Sequence, residues 1–185
     1  MAENGNWVDK VLAFWFGELT LDDWFSADER LDARIRTRFE LLYKQLAERL
    51  PPETETDPRA NLAAIIVFDQ FPRNMYRHQA AAFATDDLAM KLARIAVEKR
   101  FDEALTAEQR QFLYMPFMHS ERLADQERGV DLFRRLGNAE AIRYAEEHRD
   151  IIARFGRFPH RNRVLGREST ADERAFLISH EGFGQ

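Results

Sequence analysis

The sequence contains no cysteine. That absence excludes disulfides, thiolate metal sites and cysteine nucleophiles together, and it fits a reducing compartment. Glycine and proline are sparse, 8 and 6 among 185 residues, so few positions interrupt a regular backbone. No stretch approaches the roughly 18 consecutive apolar residues of a membrane span; the longest run is Leu62 to Phe68. The chain opens Met-Ala-Glu-Asn-Gly, and Asp9 and Lys10 interrupt its first apolar patch. A secretory leader needs a basic start and an unbroken apolar region, so the expectation is a cytoplasmic protein with no membrane partner. Basic charge is not in excess either: 27 Lys and Arg face 32 Asp and Glu, a net −5. This argues against a surface built as a whole to meet nucleic acid.

Phosphate-loop glycine patterns and His-Glu-x-x-His are also missing, so no familiar nucleotide loop or zinc motif is present. The 5 histidines stand at positions 78, 119, 148, 160 and 180, too far apart in sequence for a paired ligand motif. A metal site from His119, His148 and Glu121 across neighbouring helices is the one arrangement left open. Lone histidines more often hydrogen-bond in place. No cofactor and no metal are therefore expected.

What is present is apolar and helical. Hydrophobic residues make up 45 % of the chain, with 15 Phe and 3 Trp, enough for one core, and residues 1–185 read as a single domain. Long segments carry a period of about 3.6 residues. Val8, Val11, Leu12, Trp15 and Phe16 form one helical stripe ending at Gly17, and Leu31, Ile35, Phe39, Leu42 and Leu46 form another. Trp24 and Phe25, in the connector between them, are expected to plug the core. Caps are expected at Asn6, at Ser26 with Glu29, at Asp57 before Pro58, at Thr85, at Thr106 with Gln109, at Ser120, at Asn138 and at Thr170 with Glu173. Gly137 and Gly156 close helices. Pro72 is expected to end the apolar helix before it, and Pro116 to kink or stop another. The reading is all-α: about eight helices with short joints, packed antiparallel.

One pattern occurs twice. Asp69-Gln70-Phe71-Pro72-Arg73-Asn74 follows an apolar helical run, and Arg157-Phe158-Pro159-His160-Arg161-Asn162 follows another. Helix pairs related in this way stack into a right-handed superhelix with a concave face, although no regular period of roughly 34 residues is found. An orthogonal helical bundle is the rival arrangement. These two runs, together with Tyr114-Met115-Pro116-Phe117-Met118-His119-Ser120-Glu121 between them, resemble the bacterial family known as domain of unknown function 924. The resemblance extends from Val11-Leu12-Ala13-Phe14-Trp15-Phe16-Gly17 to Thr170-Ala171-Asp172-Glu173-Arg174. It implies a tetratricopeptide-like all-α fold and a bacterial cytosolic setting. It implies no activity, and so no catalytic residues.

The residues themselves point to an anion. From Arg154 to Arg167 the chain holds Arg154, Arg157, Arg161, Arg163, Arg167 and His160 and no acid, a local reversal of sign. Arginine presents a planar fork of donors suited to carboxylate or phosphate. One reading is internal bracing, with these arginines paired to Asp69, Glu121, Asp125 or Glu147. The other is a groove lined by Arg73, Asn74, Tyr114, His119, Arg157, His160, Arg161 and Asn162, holding an acidic peptide, a protein terminus or a small anion. An alternative is a small enzyme in which His119, or His160 beside Asp69 or Glu121, acts as general acid or base. His119, Ser120 and Glu121 are adjacent and so cannot form a relayed triad by themselves. A third reading is a structural or oligomeric role. Phe155 and Phe158, interleaved with arginine, keep RNA contact as a minor reading. Whether Arg73, His119, Arg157 and Arg161 share one concavity decides among these.

Overall fold

The apolar run Leu62 to Phe68 lies at the centre of the molecule, and every residue from Ala60 to Pro72 is buried. The computed structural model describes residues 6–25 and 27–180. Among them the regular structure is helical throughout, with no strand. The elements are α1 (Asn6–Ala13), α2 (Leu21–Phe25), α3 (Glu29–Glu48), α4 (Pro58–Ile65), α5 (Phe71–Met75), α6 (Asp86–Glu98), α7 (Ala107–His119), α8 (Leu123–Leu136), α9 (Ala139–Phe155) and α10 (Ala171–Ser179). Two of these exceed the expected set. α2 forms in the stretch read as a connector, and α5 continues past the proline read as a stop.

Consecutive helices pair as short joints require: α6 packs on α7, α7 on α8 and α8 on α9. α4 is covered by α1, α6 and α7, and α5 by α3. Aromatic rings fill the space between α1, α5 and α7. Trp15 lies 5.7 Å from Phe71 and 5.5 Å from Phe112, edge-on to the latter. Trp24 packs on Phe112 at 4.9 Å and donates from Nε1 to the Trp15 carbonyl at 2.9 Å, so it does plug the core. Phe25 does not; it is 60 % exposed.

Most caps form where the side chains allow. Thr106 with Gln109 and Thr170 with Glu173 close reciprocal boxes, and Asn138 and Asp57 accept from the first-turn amides of α9 and α4. Gly137 and Gly156 end α8 and α9 in the left-handed region, at φ 82° and 69°. The caps expected at Asn6 and Ser26 lie outside the described side chains; Asp28 caps α3 on Arg30 N at 2.8 Å. Gly17 lies inside a wide turn, Phe14–Glu18, that prolongs α1. Ser120 does not immediately precede a helix; α8 starts at Leu123. Pro116 does not stop α7, which runs on to His119.

Pro72 does not end its helix, and the reason is local. A proline ring clashes with the carbonyl four residues back and leaves that carbonyl without its amide donor. Here Ile66–Gln70 widen into a π turn, and Phe71 N bonds to Ile66 O instead. The carbonyls that the turn loosens take side-chain donors. Thr85 Oγ1 donates to Phe68 O at 2.8 Å, Arg73 to Asp69 O, and Asn74 Nδ2 to Gln70 O at 3.0 Å. Thr85 therefore makes no cap of its own for α6, contrary to the expectation; its hydroxyl completes the preceding helix.

Two substitutions test this packing. Thr85→Val is expected to leave the buried Phe68 carbonyl unbonded and to cost about 1–3 kcal/mol in urea unfolding. Gly129 packs so closely on α7 that an added Cβ would lie 3.0 Å from Phe117 Cβ. Gly129→Val is expected to destabilise by about 1–3 kcal/mol through overpacking, read in the same experiment.

Candidate functional site

The π turn carries Asp69 inward, where its carboxylate is fully buried. Its two oxygens lie 2.8 and 2.9 Å from His119 Nδ1, at the end of α7. A carboxylate only accepts, so Nδ1 carries the hydrogen and, in the neutral ring, Nε2 keeps its lone pair. Gln70 Nε2 donates to the same carboxylate at 2.6 Å. Burial pushes the Asp69 carboxyl up, but Arg73 and His119 outweigh it and hold it at about 2. Burial pushes the His119 imidazole down, against the pull of Asp69 and with the help of Arg73. The pair is therefore an ionised carboxylate holding a neutral imidazole. His148 packs beside it, ring centres 6.4 Å apart, and donates from Nδ1 to the Tyr144 carbonyl at 2.7 Å. Burial, then the neighbouring His119, push His148 down to about 3.

A second carboxylate, Asp86 at the start of α6, joins the two Phe-Pro corners. Arg73 forks onto it from Nη1 at 3.0 Å and Nη2 at 3.1 Å. Arg161 Nη1 reaches the same group at 3.2 Å. The Arg161 guanidinium lies over the rings of Phe83 and Phe158, at 4.4 and 4.7 Å. Asp86 is thus shared by two buried cations, of which Arg73 also faces Asp69 at 3.4 Å. Burial lowers Arg161 to about 10, with Asp86 opposing and Arg73 reinforcing the fall. Arg73 Nε and Arg161 Nε are both buried with no hydrogen-bond partner.

Arg73 and Arg161 form the back of a pocket of about 40 Å³, whose other polar lining is Arg77, His78, His160 and Arg163. No carboxylate is among the lining residues. Arg77 is forked onto Asp32, at 2.9 Å for both contacts. His78, at φ 62°, holds a left-handed conformation uncommon for a residue with a Cβ.

The pocket brings together three of the eight groove residues expected from sequence, Arg73, His160 and Arg161, with Arg163 of the basic segment. Asn74 and His119 stand behind it, bonded to the Gln70 carbonyl and to Asp69. Arg157 and Asn162 belong to a separate clasp under α10. Arg157 Nε donates to Glu173 at 2.6 Å, and Asn162 Nδ2 to Ser169 Oγ at 3.1 Å. Glu121 faces Arg167 at 2.7 Å and the Phe158 amide at 2.8 Å, not the imidazoles. Tyr114 is remote from all of these, donating to Asp102 at 2.6 Å. Among the described residues no three His, Asp or Glu gather as a metal site requires. The sequence reading missed Arg77, His78, Phe83 and Asp86. A basic pair so soon after Arg73-Asn74 was the available signal for the first two. Asp86 looked like an ordinary first-turn acid.

Comparison with known proteins adds family but no activity. The family described as "Bacterial protein of unknown function (DUF924)" matches residues 11–181. A solved structure of a protein of unknown function from Agrobacterium tumefaciens is similar at 38 % identity and a TM-score of 0.90. The match covers 95 % of this chain and 99 % of that one. No curated protein is similar to the chain.

The buried histidines make stability depend on pH. His148 titrates near 6.5 when unfolded and at about 3 when folded, so between those values the unfolded chain binds one more proton. Stability is therefore expected to fall as pH drops from 6.5, by about 1.4 kcal/mol per pH unit for each such imidazole. Asp69 adds to this only below about 4, where the unfolded carboxylate begins to protonate. Urea midpoints measured from pH 7.5 to 5 check the slope, and His148→Gln is expected to flatten it.

Proposed function

We propose that this chain, which belongs to the bacterial DUF924 family, is a binding module that takes a small anion in the pocket of Arg73 and Arg161. The observation that carries the reading is the sharing of Asp86. Arg161 has only a share of that carboxylate, its donors are not all used, and the lining holds further cations and no acid, a field that an anion completes. The pocket's size supports a headgroup rather than a long ligand. A peptide or protein partner would enter through an acidic side chain or its terminal carboxylate. The sequential pairing of α6 to α9 supports, as part of the proposal, a tetratricopeptide-like stacking of helix pairs. The lack of cysteine supports a cytoplasmic setting. Among the described residues no helix is long and apolar enough to cross a membrane.

Titration calorimetry with sodium sulfate at low ionic strength tests the reading. Arg161→Gln is expected to weaken binding at least tenfold, about 1.4 kcal/mol. Arg154→Gln, an exposed arginine outside the pocket, is expected to leave it unchanged. Arg157→Ala should lower stability through the α10 clasp. Sulfate affinity equal in wild type and Arg161→Gln would remove the basis of the proposal.

A second reading rests on the Asp69–His119 pair. A carboxylate that fixes Nδ1–H and leaves Nε2 basic is the arrangement a general base uses. In that reading the pocket anchors an anionic substrate and His119 moves a proton. Turnover of a chromogenic phosphate or carboxylate ester that disappears in His119→Asn, with sulfate binding retained, would favour it. Equal turnover in both proteins would set it aside.

A further inference from the structure

We propose that the anion this pocket selects is a dianionic phosphate group, either free or as the end of a monoester, rather than a carboxylate. The inference rests on the anion-site reading above and goes on to its ligand class. Three observations carry it. The first is volume. A water needs about 10–15 Å³ of such space, so a pocket of about 40 Å³ holds roughly three waters' worth of polar atoms. A phosphate monoester presents three terminal oxygens, whereas a carboxylate presents two.

The second is donor count. A guanidinium carries five N–H donors. Arg161 makes one hydrogen bond, to Asp86, and its Nε is buried without a partner. Arg73 directs its Nη atoms to Asp86 and Asp69 and likewise leaves Nε unbonded. These buried donors call for acceptors in excess of what one carboxylate supplies.

The third is charge. Arg73 is met by Asp69 as well as by Asp86, whereas Arg161 has only its share of Asp86. Arg163 at the rim is exposed and makes no ion pair among the described residues. Arg77 is already matched by Asp32. Four arginines and no carboxylate line the pocket, and a dianion meets that positive potential with twice the charge of a carboxylate. Phosphate near neutral pH carries about −1.5 to −2. Ala82, Phe83 and Val164 complete the lining with apolar surface against which an ester carbon can rest.

Calorimetry of the full chain at pH 7.5 with methyl phosphate, inorganic phosphate, dimethyl phosphate and acetate tests the proposal. Methyl phosphate is expected to bind at least tenfold more tightly than dimethyl phosphate, a tetrahedral monoanion, and than acetate. Tighter binding of methyl phosphate than of inorganic phosphate identifies a monoester as the source; equal binding identifies the free ion. Arg161→Gln is expected to remove the preference for the dianions. Should that variant fail to fold, Arg163→Gln, at an exposed position, is expected to weaken methyl phosphate at least threefold and acetate less. Acetate or dimethyl phosphate binding as tightly as methyl phosphate overturns this inference while leaving the anion site standing, as does an Arg163→Gln chain with unaltered methyl phosphate affinity. Absence of binding by all four, and by sulfate, overturns the anion site itself.

Discussion

Asp86 holds together two corners of the chain that are distant in sequence. Arg73 arrives from α5 and Arg161 from the loop after α9, and both meet that one carboxylate. Taking charges out of water is costly, and the cost is recovered only where partners and hydrogen bonds are complete. Around Asp86 Arg73 is the better matched, because it also has Asp69, and Arg161 has stacked rings in place of a second acid. This asymmetry is what the proposed anion would relieve. A brace alone would match each guanidinium with its own carboxylate, as Arg77 is matched with Asp32 and Arg167 with Glu121.

The positions of Asp69 and Arg73 depend in turn on the backbone around Pro72. A straight α-helix through Phe71-Pro72 would drive the proline ring into the Phe68 carbonyl. Widening the turn removes the clash and leaves carbonyls for Thr85, Arg73 and Asn74 to satisfy. The same side chains that repair the helix thereby fix the orientation of the Arg73 fork. Local irregularity in the most buried of the described helices and the geometry of the pocket are one feature.

Helix boundaries were largely legible because capping and periodicity are local effects. Thr106, Asn138 and Thr170 needed only their neighbours to be read correctly. The doubled Phe-Pro pattern pointed to Arg73 and Arg161, and those two do meet. Asp86 was not legible as their meeting point. An acid in a first helical turn is expected for the helix's own sake, and nothing local announces a partner 75 residues away. Thr85 misled for the same reason: its capping position is ordinary, but its hydroxyl is used across the core. Tyr114 belonged to a motif shared across the family resemblance, yet its ring and hydroxyl serve Phe133 and Asp102. Proximity in a motif does not fix which face of a helix a side chain occupies.

Bracing, one of the two sequence readings of the basic segment, holds for part of it, and the proposed ligand contact falls to the rest. Arg157 and Arg167 are closed onto Glu173 and Glu121, and they secure α10 and the loop that carries Arg161. Their role is to make the loop rigid. Rigidity is what permits Arg161 to stay buried with an unfilled donor set, because a guanidinium on a mobile loop would turn to water and find its bonds there. Bracing and the proposed binding are therefore successive layers of one arrangement: ion pairs on the outside hold an incompletely matched cation on the inside.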